Sequence, residues 1–387
     1  KIRGKHELQF GFHWRSDRLN ILPDQQQPQG NNSYNTLSTS LYDPETSRTN
    51  PSAMAYTGSE LANMFLGLMR YRNNYVRGYY YARGKEYAGY FQDNYKVTPR
   101  LTLNIGLRYE FFPAYKEKNN FMTGFDFENR AVVLGATLDE FYRMGATQPV
   151  IVERFQSLGA KFESYKEAGL PQKLMYNDYK DFGPRIGLAY RVGDGLRSFV
   201  IRGGYRLSYF PLPVRSWGVT MRSNTPTTAT FYGNDYGSSA RSPDGIAQYL
   251  MRSVPTVVAG VNSRDAVSLS NPTSVLGLSR GSVNVLSFDP HQPTSRAHDW
   301  NFTLEKELME NTVARVGYVG NAGRNLDQVL SINAAMPSLI WYLTTHLPTP
   351  TGEYSGVALR SWDQTVYGSL SKYQKSGYSN FHGMQLE

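Results

Sequence analysis

The most regular pattern along the chain is an alternation of apolar and polar residues between positions 101 and 111. Leucine, isoleucine, tyrosine and phenylalanine occupy the odd positions, and threonine, asparagine, glycine, arginine and glutamate occupy the even ones. Because successive side chains of a β-strand point to opposite faces, this segment predicts a strand with one apolar and one polar face. At about 3.3 Å per residue, such a strand is long for a soluble sheet and suits a tilted crossing of a membrane.

The same alternation recurs in other segments, beginning with Phe10, Phe12 and Trp14 near the N-terminus. The alternation is imperfect in places, because the apolar Val200 falls on a polar face and the charged Lys306 falls on an apolar one. Eight strands are predicted in this way: 2–14, 84–97, 101–113, 183–192, 197–210, 296–308, 312–321 and 378–387.

The connections between these strands alternate strictly between short and long. Three are tight turns with Pro, Asp-Gly or Asn, at 98–100, 193–196 and 309–311. The long ones cover about 15–83, 114–182, 211–295 and 322–377. Long loops without structure of their own argue against a soluble sandwich, whereas outer-membrane barrels combine short periplasmic turns with long outer loops. The predicted fold class is therefore all-β, an antiparallel transmembrane β-barrel with long extracellular loops.

Composition narrows the classes further. Tyrosine, with 29 copies, and glycine, with 35, favour strands and turns, and the absence of cysteine excludes a disulfide scaffold and a thiolate metal site. No apolar run approaches the roughly 18 residues of a membrane helix, which excludes a helical membrane protein. The net charge of +9 comes from scattered Lys and Arg. This distribution disfavours nucleic acid as a partner and suits a surface that faces anionic lipid headgroups.

Residues 87–113, YAGYFQDNYKVTPRLTLNIGLRYEFFP, resemble the signature hairpin of TonB-dependent receptors, and more narrowly that of the Oar-like receptors of Acidobacteria and myxobacteria. Further segments of the chain resemble the same family in the same order: ELANMFLGL (60–68), NDYKDFGPRIGLAYRV (177–192), FVIRGGYRLSYF (199–210), PHQPTSRAHDWNFTLEKEL (290–308) and VGYVGNAGRNL (316–326). The resemblance leaves out the variable stretches around 15–55, 220–255 and 340–375.

The resemblance implies a barrel of about 22 strands in the bacterial outer membrane, filled by an N-terminal plug and often preceded by a sandwich domain. Residues 1–6 show no signal-peptide core, so either a leader was removed or the chain is a fragment, and their strand-like pattern favours a fragment. Because the segment from Tyr378 to Glu387 also looks like a strand cut short, we expect residues 1–387 to be an internal part of that barrel domain, without the plug, the TonB box or the last strands. The implied partners are outer-membrane lipid and lipopolysaccharide, a TonB-type energy-transducing complex that acts through the missing N-terminal region, and an unknown solute.

Catalytic and metal-binding signals are weak, so we expect no enzyme, no cofactor and no metal. A single Gly-x-Ser-x-Gly match, at 277–281, lies in a long loop without the strand and helix that a nucleophile elbow needs. The histidines lack metal-ligand spacing. Asp178 and Asp181, with Asn177, could be read as a calcium site, but a structural role at the start of the next strand is favoured because these ligands are too few.

Charged residues on the polar faces of the strands are the better functional candidates. They either pair with each other and with a plug or line a solute path, and the first reading is favoured because large barrels have a polar lumen. The candidate lumen-lining residues are Arg108, Glu110, Arg185, Arg191, Arg202 and Arg206.

Aromatic residues form a second group of candidates. The clusters Tyr79 to Tyr81, Phe111 with Phe112 and Tyr115, and Tyr209 with Phe210 lie near predicted outer strand ends and predict a membrane-interface girdle. Aromatic residues deep in long loops are candidate ligand contacts. These are Tyr232, Tyr236, Tyr249 and Trp341.

Three hypotheses of function follow. The first is energy-coupled uptake of a scarce solute, such as an oligosaccharide, a peptide or a metal chelate. The second is a surface structural or adhesion protein that uses the barrel as an anchor and the long loops as its working part. The third, a soluble β-rich binding protein, predicts partition into water without detergent.

Overall fold

A computed structural model of the chain describes most of its length, including all eight segments predicted to be strands apart from residue 197. The described residues are 2–21, 31–34, 36, 39–40, 42–43, 48–49, 57–68, 71–75, 80–195, 198–232, 283–309, 312–350 and 359–387.

The strands of the first half are β1 (Ile2–Arg3), β2 (His6–Ile21), β3 (Asn31–Ser33), β4 (Tyr42–Asp43), β5 (Arg48–Thr49), β6 (Tyr71–Tyr75), β7 (Tyr80–Thr98), β8 (Leu101–Phe111), β9 (Lys116–Glu117), β10 (Thr123–Asp126), β11 (Ala131–Leu134) and β12 (Lys161–Ser164). Those of the second half are β13 (Phe182–Val192), β14 (Phe199–Phe210), β15 (Thr228–Tyr232), β16 (Val283–Phe288), β17 (Ser295–Met309), β18 (Thr312–Ser331) and β19 (Tyr367–Leu386). The helices are α1 (Glu60–Leu66), α2 (Leu138–Arg143), α3 (Pro149–Ser157), α4 (Val214–Arg222) and α5 (Ser338–Thr345).

One large sheet, here called the wall, contains all eight predicted strands. Its order is β2, β7, β8, β13, β14, β17, β18 and β19, so that each of these strands pairs antiparallel with the next one along the sequence. The tight turns join β7 to β8, β13 to β14 and β17 to β18 at one end, and the long connections lie at the other end, called the loop side. The predicted alternation of short and long connections is therefore confirmed.

The apolar positions of neighbouring strands share one face of the wall. Ile105 lies opposite Ile186, Ile186 opposite Tyr205, and Tyr205 opposite Trp300. Large side chains on this face are exposed, with Phe12 at 73% and Ile186 at 56% relative accessibility. The eleven residues of β8 extend about 36 Å, which at a tilt of about 45° matches an apolar band about 25 Å tall.

Several strands are longer than the sequence predicted, always on the loop side. β2 continues to Ile21, β7 begins at Tyr80, β18 continues to Ser331 and β19 begins at Tyr367. There another part of the chain covers the polar face, so the residues on that face are apolar, whereas the outward residues of β2 and β7 are polar. Ile21, Tyr80 and Ala82 are fully buried against Trp217 of α4.

The sequence predicted long connections without structure of their own, but the parts of them that the structure describes contain helices and strands, which form a cap on the loop side. The cap contains the sheet β10, β11 and β12, the helices α2, α3 and α4, and strand β16, which pairs in parallel with the loop-side part of β19. A buried cluster inside the cap includes Leu134, Phe141 and Phe155, and a second cluster joins the cap to the wall. Helix α4 approaches the wall closely, since a Cβ on Gly218 would lie 3.2 Å from that of Ala82.

The predicted aromatic girdle is correct in part. At the loop-side end of the apolar face, an aromatic band packs the rings of Phe111 and Tyr179 with their centroids 5.0 Å apart and those of Tyr109 and Phe182 4.7 Å apart. Tyr80 and Tyr115 do not belong to this band, because both pack on Trp217 of α4. Tyr79 lies outside the described residues. Among the described residues, no helix has the length and apolar character needed to cross a membrane.

A buried carboxylate on β9 fixes the segment that leads into the cap to the wall. Glu117, which is fully buried, accepts hydrogen bonds from the backbone N–H groups of Tyr81 at 3.0 Å, Asn119 at 2.5 Å and Phe121 at 3.2 Å. A buried N–H that loses its acceptor costs about 1–3 kcal/mol. This one side chain therefore stabilises the junction between β7 and the segment that begins the cap.

We expect Glu117→Ala to lower the local stability of this junction by about 3 kcal/mol, because three backbone donors, one buried and two partly buried, lose their acceptor at once. Hydrogen exchange of the amides of Tyr81, Asn119 and Phe121 measures the loss. Glu128→Ala is the matched control, since Glu128 is an exposed cap carboxylate. Equal exchange in the two variants would show that Glu117 has no such role.

Candidate functional site: the polar face of the wall

The six charged residues that the sequence analysis selected share one face of the wall, opposite the apolar face. Arg108 and Glu110 lie on β8, Arg185 and Arg191 on β13, and Arg202 and Arg206 on β14, each at positions whose neighbours in sequence carry the apolar side chains. The register places Arg185 directly opposite Arg206. Whether these residues line a path stays a prediction.

Four of the six are held in salt bridges. Arg108 binds Glu110 through Nε and Oε1 at 2.9 Å. The Nε of Arg202 lies 3.3 Å from Oε2 of Glu305, and the Nε of Arg206 lies 2.8 Å from Oδ2 of Asp299. Within the described part of the chain, Arg185 and Arg191 form no salt bridge.

Asp299, on β17, is a site residue that the sequence analysis missed. Its Oδ2 accepts from Arg206 and its Oδ1 accepts from Nδ2 of Asn321 at 2.5 Å, so that one carboxylate links three neighbouring strands. The alternation in the sequence could have identified it, because Asp299 lies two residues before Asn301 and so belongs to the same series of polar positions as Asn301, Thr303 and Glu305.

A cavity of about 610 Å³ lies on the polar face around Arg185. Its floor contains three strand glycines, Gly106, Gly187 and Gly204. Strand glycines mark places where another group approaches the backbone closely. The polar side chains around this floor are Gln92, Asn104, Arg185, Arg206, Asp299, Asn301 and Asn321.

The register explains how these residues meet. Asn104, Gly187, Gly204 and Asn301 follow one another across four neighbouring strands. Two amides therefore flank a strip of strand backbone without side chains, and the guanidinium of Arg185, which has no salt bridge to any described residue, lies beside it. Guanidinium and amide groups bind carboxylates, phosphates and hydroxyl groups, so this arrangement can bind a polar or anionic solute.

Of the four candidate ligand contacts in the loops, Trp341 and Tyr232 lie within the described part of the chain. Trp341 lies on α5 and donates from Nε1 to the carbonyl of Pro348 at 3.3 Å. Tyr232 is the last residue of β15, and Tyr236 and Tyr249 lie outside the described residues, as does the Gly-x-Ser-x-Gly segment at 277–281.

The described residues contain no group of three or more His, Asp or Glu side chains that could hold a metal ion. Asp178 and Asp181 instead join the connection before β13 to the connection before β17 by hydrogen bonds to Thr294. Oδ2 of Asp178 accepts from the backbone N–H of Thr294 at 3.1 Å, and Oδ2 of Asp181 accepts from the Thr294 hydroxyl at 2.7 Å. Asn177 accepts the N–H of Ala114 at 2.9 Å. These contacts support the structural reading of the three residues.

The family follows from the whole sequence. A family model described as outer membrane beta barrel domain matches residues 1–387. The chain belongs to this family. As a member, it is a protein of the outer membrane with an antiparallel transmembrane β-barrel fold, and the apolar face of the wall is the face that such barrels present to lipid. No curated protein matches the sequence.

Solved structures resemble the chain only distantly. The siderophore receptor PirA from Pseudomonas aeruginosa is 10% identical, with 82% of this chain and 38% of that one covered and a TM-score of 0.27. The hemophore receptor HasR from Serratia marcescens is 12% identical, with 82% and 36% covered and a TM-score of 0.28. The FrpB iron transporter from Neisseria meningitidis is 12% identical, with 99% and 48% covered and a TM-score of 0.27. The chain spans less than half the length of each, and similarity at this level carries no argument about its function.

The Asp181 contact in the barrel's loop-side connection depends on pH. Burial raises the pKa of Asp181 to about 6, the Thr294 hydrogen bond opposes the increase, and the charges of Asp178 and Glu110 add to it. An unfolded aspartate has a pKa of about 4, so the folded state binds more protons between these two values. The stability from this group is complete below about pH 4 and is lost as the pH rises through about 6.

We expect the free energy of unfolding of this connection to fall by about 2–3 kcal/mol between pH 4 and pH 7 because of Asp181. Asp181→Asn carries no ionisable carboxyl and removes this part of the dependence. Both proteins are unfolded with urea at each pH, and proteolytic cleavage of the connection reports how much of it has unfolded. Parallel pH profiles for the two proteins would contradict the assignment.

Proposed function

We propose that the chain is part of the wall of a TonB-dependent receptor, of the Oar-like type, that takes up a scarce solute across the outer membrane. The observation that carries the proposal is the glycine-floored cavity beside Arg185 on the polar face. In a large barrel the face turned away from lipid surrounds the lumen, so this cavity would lie along the path of a solute or against a plug.

The groups around the cavity favour a polar solute with anionic groups. Arg185 is exposed and has no salt bridge within the described residues, and it stands opposite Arg206, whose own charge is balanced by Asp299. An uncompensated guanidinium next to amides binds a carboxylate or phosphate by bidentate hydrogen bonds. Oligosaccharides with acidic groups, peptides and carboxylate-rich metal chelates share this chemistry.

The proposed process is transport without chemical change of the solute, so we propose no enzymatic activity. Its energy would come from a TonB-type complex of the inner membrane. This part rests on the resemblance of residues 87–113 to the signature hairpin of such receptors.

A second function, a surface structural or adhesion protein anchored by the barrel, is favoured by one observation. The cap is a folded body with its own buried cluster, which includes Val132, Leu134 and Phe155, and not a set of open loops. A folded cap offers a stable surface to another cell or to a matrix. Loss of attachment without loss of uptake in a deletion strain would support this function over transport.

A pair of adjacent glycines on β14 tests the transport proposal. Gly204 faces the cavity, and the nearest atoms to an added Cβ are those of the Asn301 amide at 3.5 Å. Gly203 points to the apolar face, where an added Cβ would lie 3.6 Å from the Asn301 carbonyl oxygen and 3.9 Å from Phe302. Both sites therefore accept a side chain without a backbone clash.

We expect Gly204→Leu to reduce uptake by about tenfold or more, because the side chain fills the cavity, and Gly203→Leu to leave uptake unchanged, because leucine on the lipid face is tolerated. The complete gene product is expressed in a deletion strain, and uptake of labelled ferric chelates, peptides and acidic oligosaccharides is measured with surface amounts matched. If no probe depends on the gene, or if both variants transport like the wild type, the proposal fails.

A further inference from the structure

A second cavity, of about 1070 Å³, opens on the opposite side of the wall from the polar-face cavity, at the loop-side ends of β2, β7 and β8. Its lining combines six cationic side chains with an aromatic and proline surface. The lining residues that matter here are Arg18, Arg83, Lys85, Lys116, Lys118 and Lys173.

Strand register places this cavity directly above the lipid-facing band. Along β2 and β7 the outward pairs are Trp14 with Tyr87, then Ser16 with Lys85, then Arg18 with Arg83. Each step is two residues, or about 7 Å along the strand. The residues on the lipid face therefore change from aromatic to basic between one cross-strand pair and the next. This change lies at the height where the hydrocarbon ends and the headgroups begin.

The remaining cations come from the cap. Lys116 pairs with Arg83 across β9 and β7, and Nζ of Lys118 lies 5.6 Å from the centre of the Tyr81 ring. Lys173 is partly buried beside them, and its pKa is lowered by burial and by the positive charges of Lys116 and Lys85. Lysines from three separate segments, Lys85, Lys116 and Lys173, therefore line one cavity.

This positive charge is not balanced within the described part of the chain. No carboxylate lines the cavity. Glu117, between Lys116 and Lys118 in sequence, is buried and bound to backbone N–H groups. Glu86 faces the other side of the wall, where it pairs with Arg15 at 3.1 Å.

The floor of the cavity is apolar and continuous with the aromatic band, since Tyr87, Phe111, Pro113 and Tyr179 line it. A ligand that fits must therefore bring several negative charges on a sugar-sized headgroup and acyl chains that continue down the apolar face. Long loops mark the outer side of such barrels, so the ligand belongs to the outer leaflet. A soluble anion would use the cations but not the apolar floor.

We propose that this cavity binds the phosphorylated glycolipid headgroup of lipopolysaccharide. The phosphates contact Lys116, Lys118 and Lys173, and the acyl chains lie along the aromatic band and the apolar face below it. The site is independent of any transport through the wall, because it lies on the opposite face.

The test uses the complete protein, purified in a neutral detergent, and lipid A as the probe. Binding is measured by native mass spectrometry with bisphosphorylated lipid A, with dephosphorylated lipid A and with inorganic phosphate as competitor. The triple variant Lys116→Gln, Lys118→Gln, Lys173→Gln is compared with Lys161→Gln, Lys166→Gln, Lys180→Gln, which removes the same charge from cap positions outside the cavity. Heat-modifiable gel migration verifies that both variants are folded.

We expect the first triple variant to lose about 10- to 100-fold in affinity for bisphosphorylated lipid A and the second to keep it, because each cation near an anionic headgroup contributes to binding. Dephosphorylated lipid A should bind the wild type as weakly as it binds the first variant. Equal losses in both variants, equal binding of the two lipids, or displacement of lipid A by millimolar phosphate would each overturn the proposal.

Discussion

The structure depends on the requirement that every backbone N–H and C=O group inside a bilayer finds a partner within the protein. Each strand of the wall, from β2 to β19, meets this requirement along the edge that it shares with the next wall strand, by antiparallel pairing. Because the strands are paired in this way, alternate side chains point to opposite faces of the wall, and the two faces have different surroundings. The apolar face meets lipid, and the polar face carries the ion pairs and the glycine-floored cavity.

The membrane-crossing part of the fold could be predicted from the sequence because one face of each strand meets lipid and the other does not. That asymmetry produced the alternation in residues 101–111 and in the seven related segments. The cap could not be predicted in this way. Tyr80 and Ile21 are buried on the face that is polar elsewhere, so the apolar face there is opposite to the lipid-facing one of the same strands. The parallel pairing of β16 with β19 joins segments about 80 residues apart, and no local pattern specifies it.

The candidate site shows the same division between local and long-range information. The sequence placed Arg185 and Arg206 on one face, but only the register between β13 and β14 shows that they stand opposite each other. Asp299 balances Arg206 from a third strand, and Arg185 keeps its charge unbalanced within the described residues. The basic cavity on the lipid side of the wall also depends on long-range contacts, because Lys116 and Lys173 lie near Lys85 only in the folded chain.

The central claim is that alternate residues of the wall face lipid and the polar interior, and nitroxide scanning of β8 tests it most directly. The chain has no cysteine, so single cysteines at positions 101 to 111 can each carry a spin label in the complete protein reconstituted in vesicles. We expect accessibility to oxygen to peak at 103, 105, 107 and 109 and accessibility to a water-soluble nickel complex to peak at 104, 106 and 108. Accessibilities that vary together, or that lack a period of two, would contradict it.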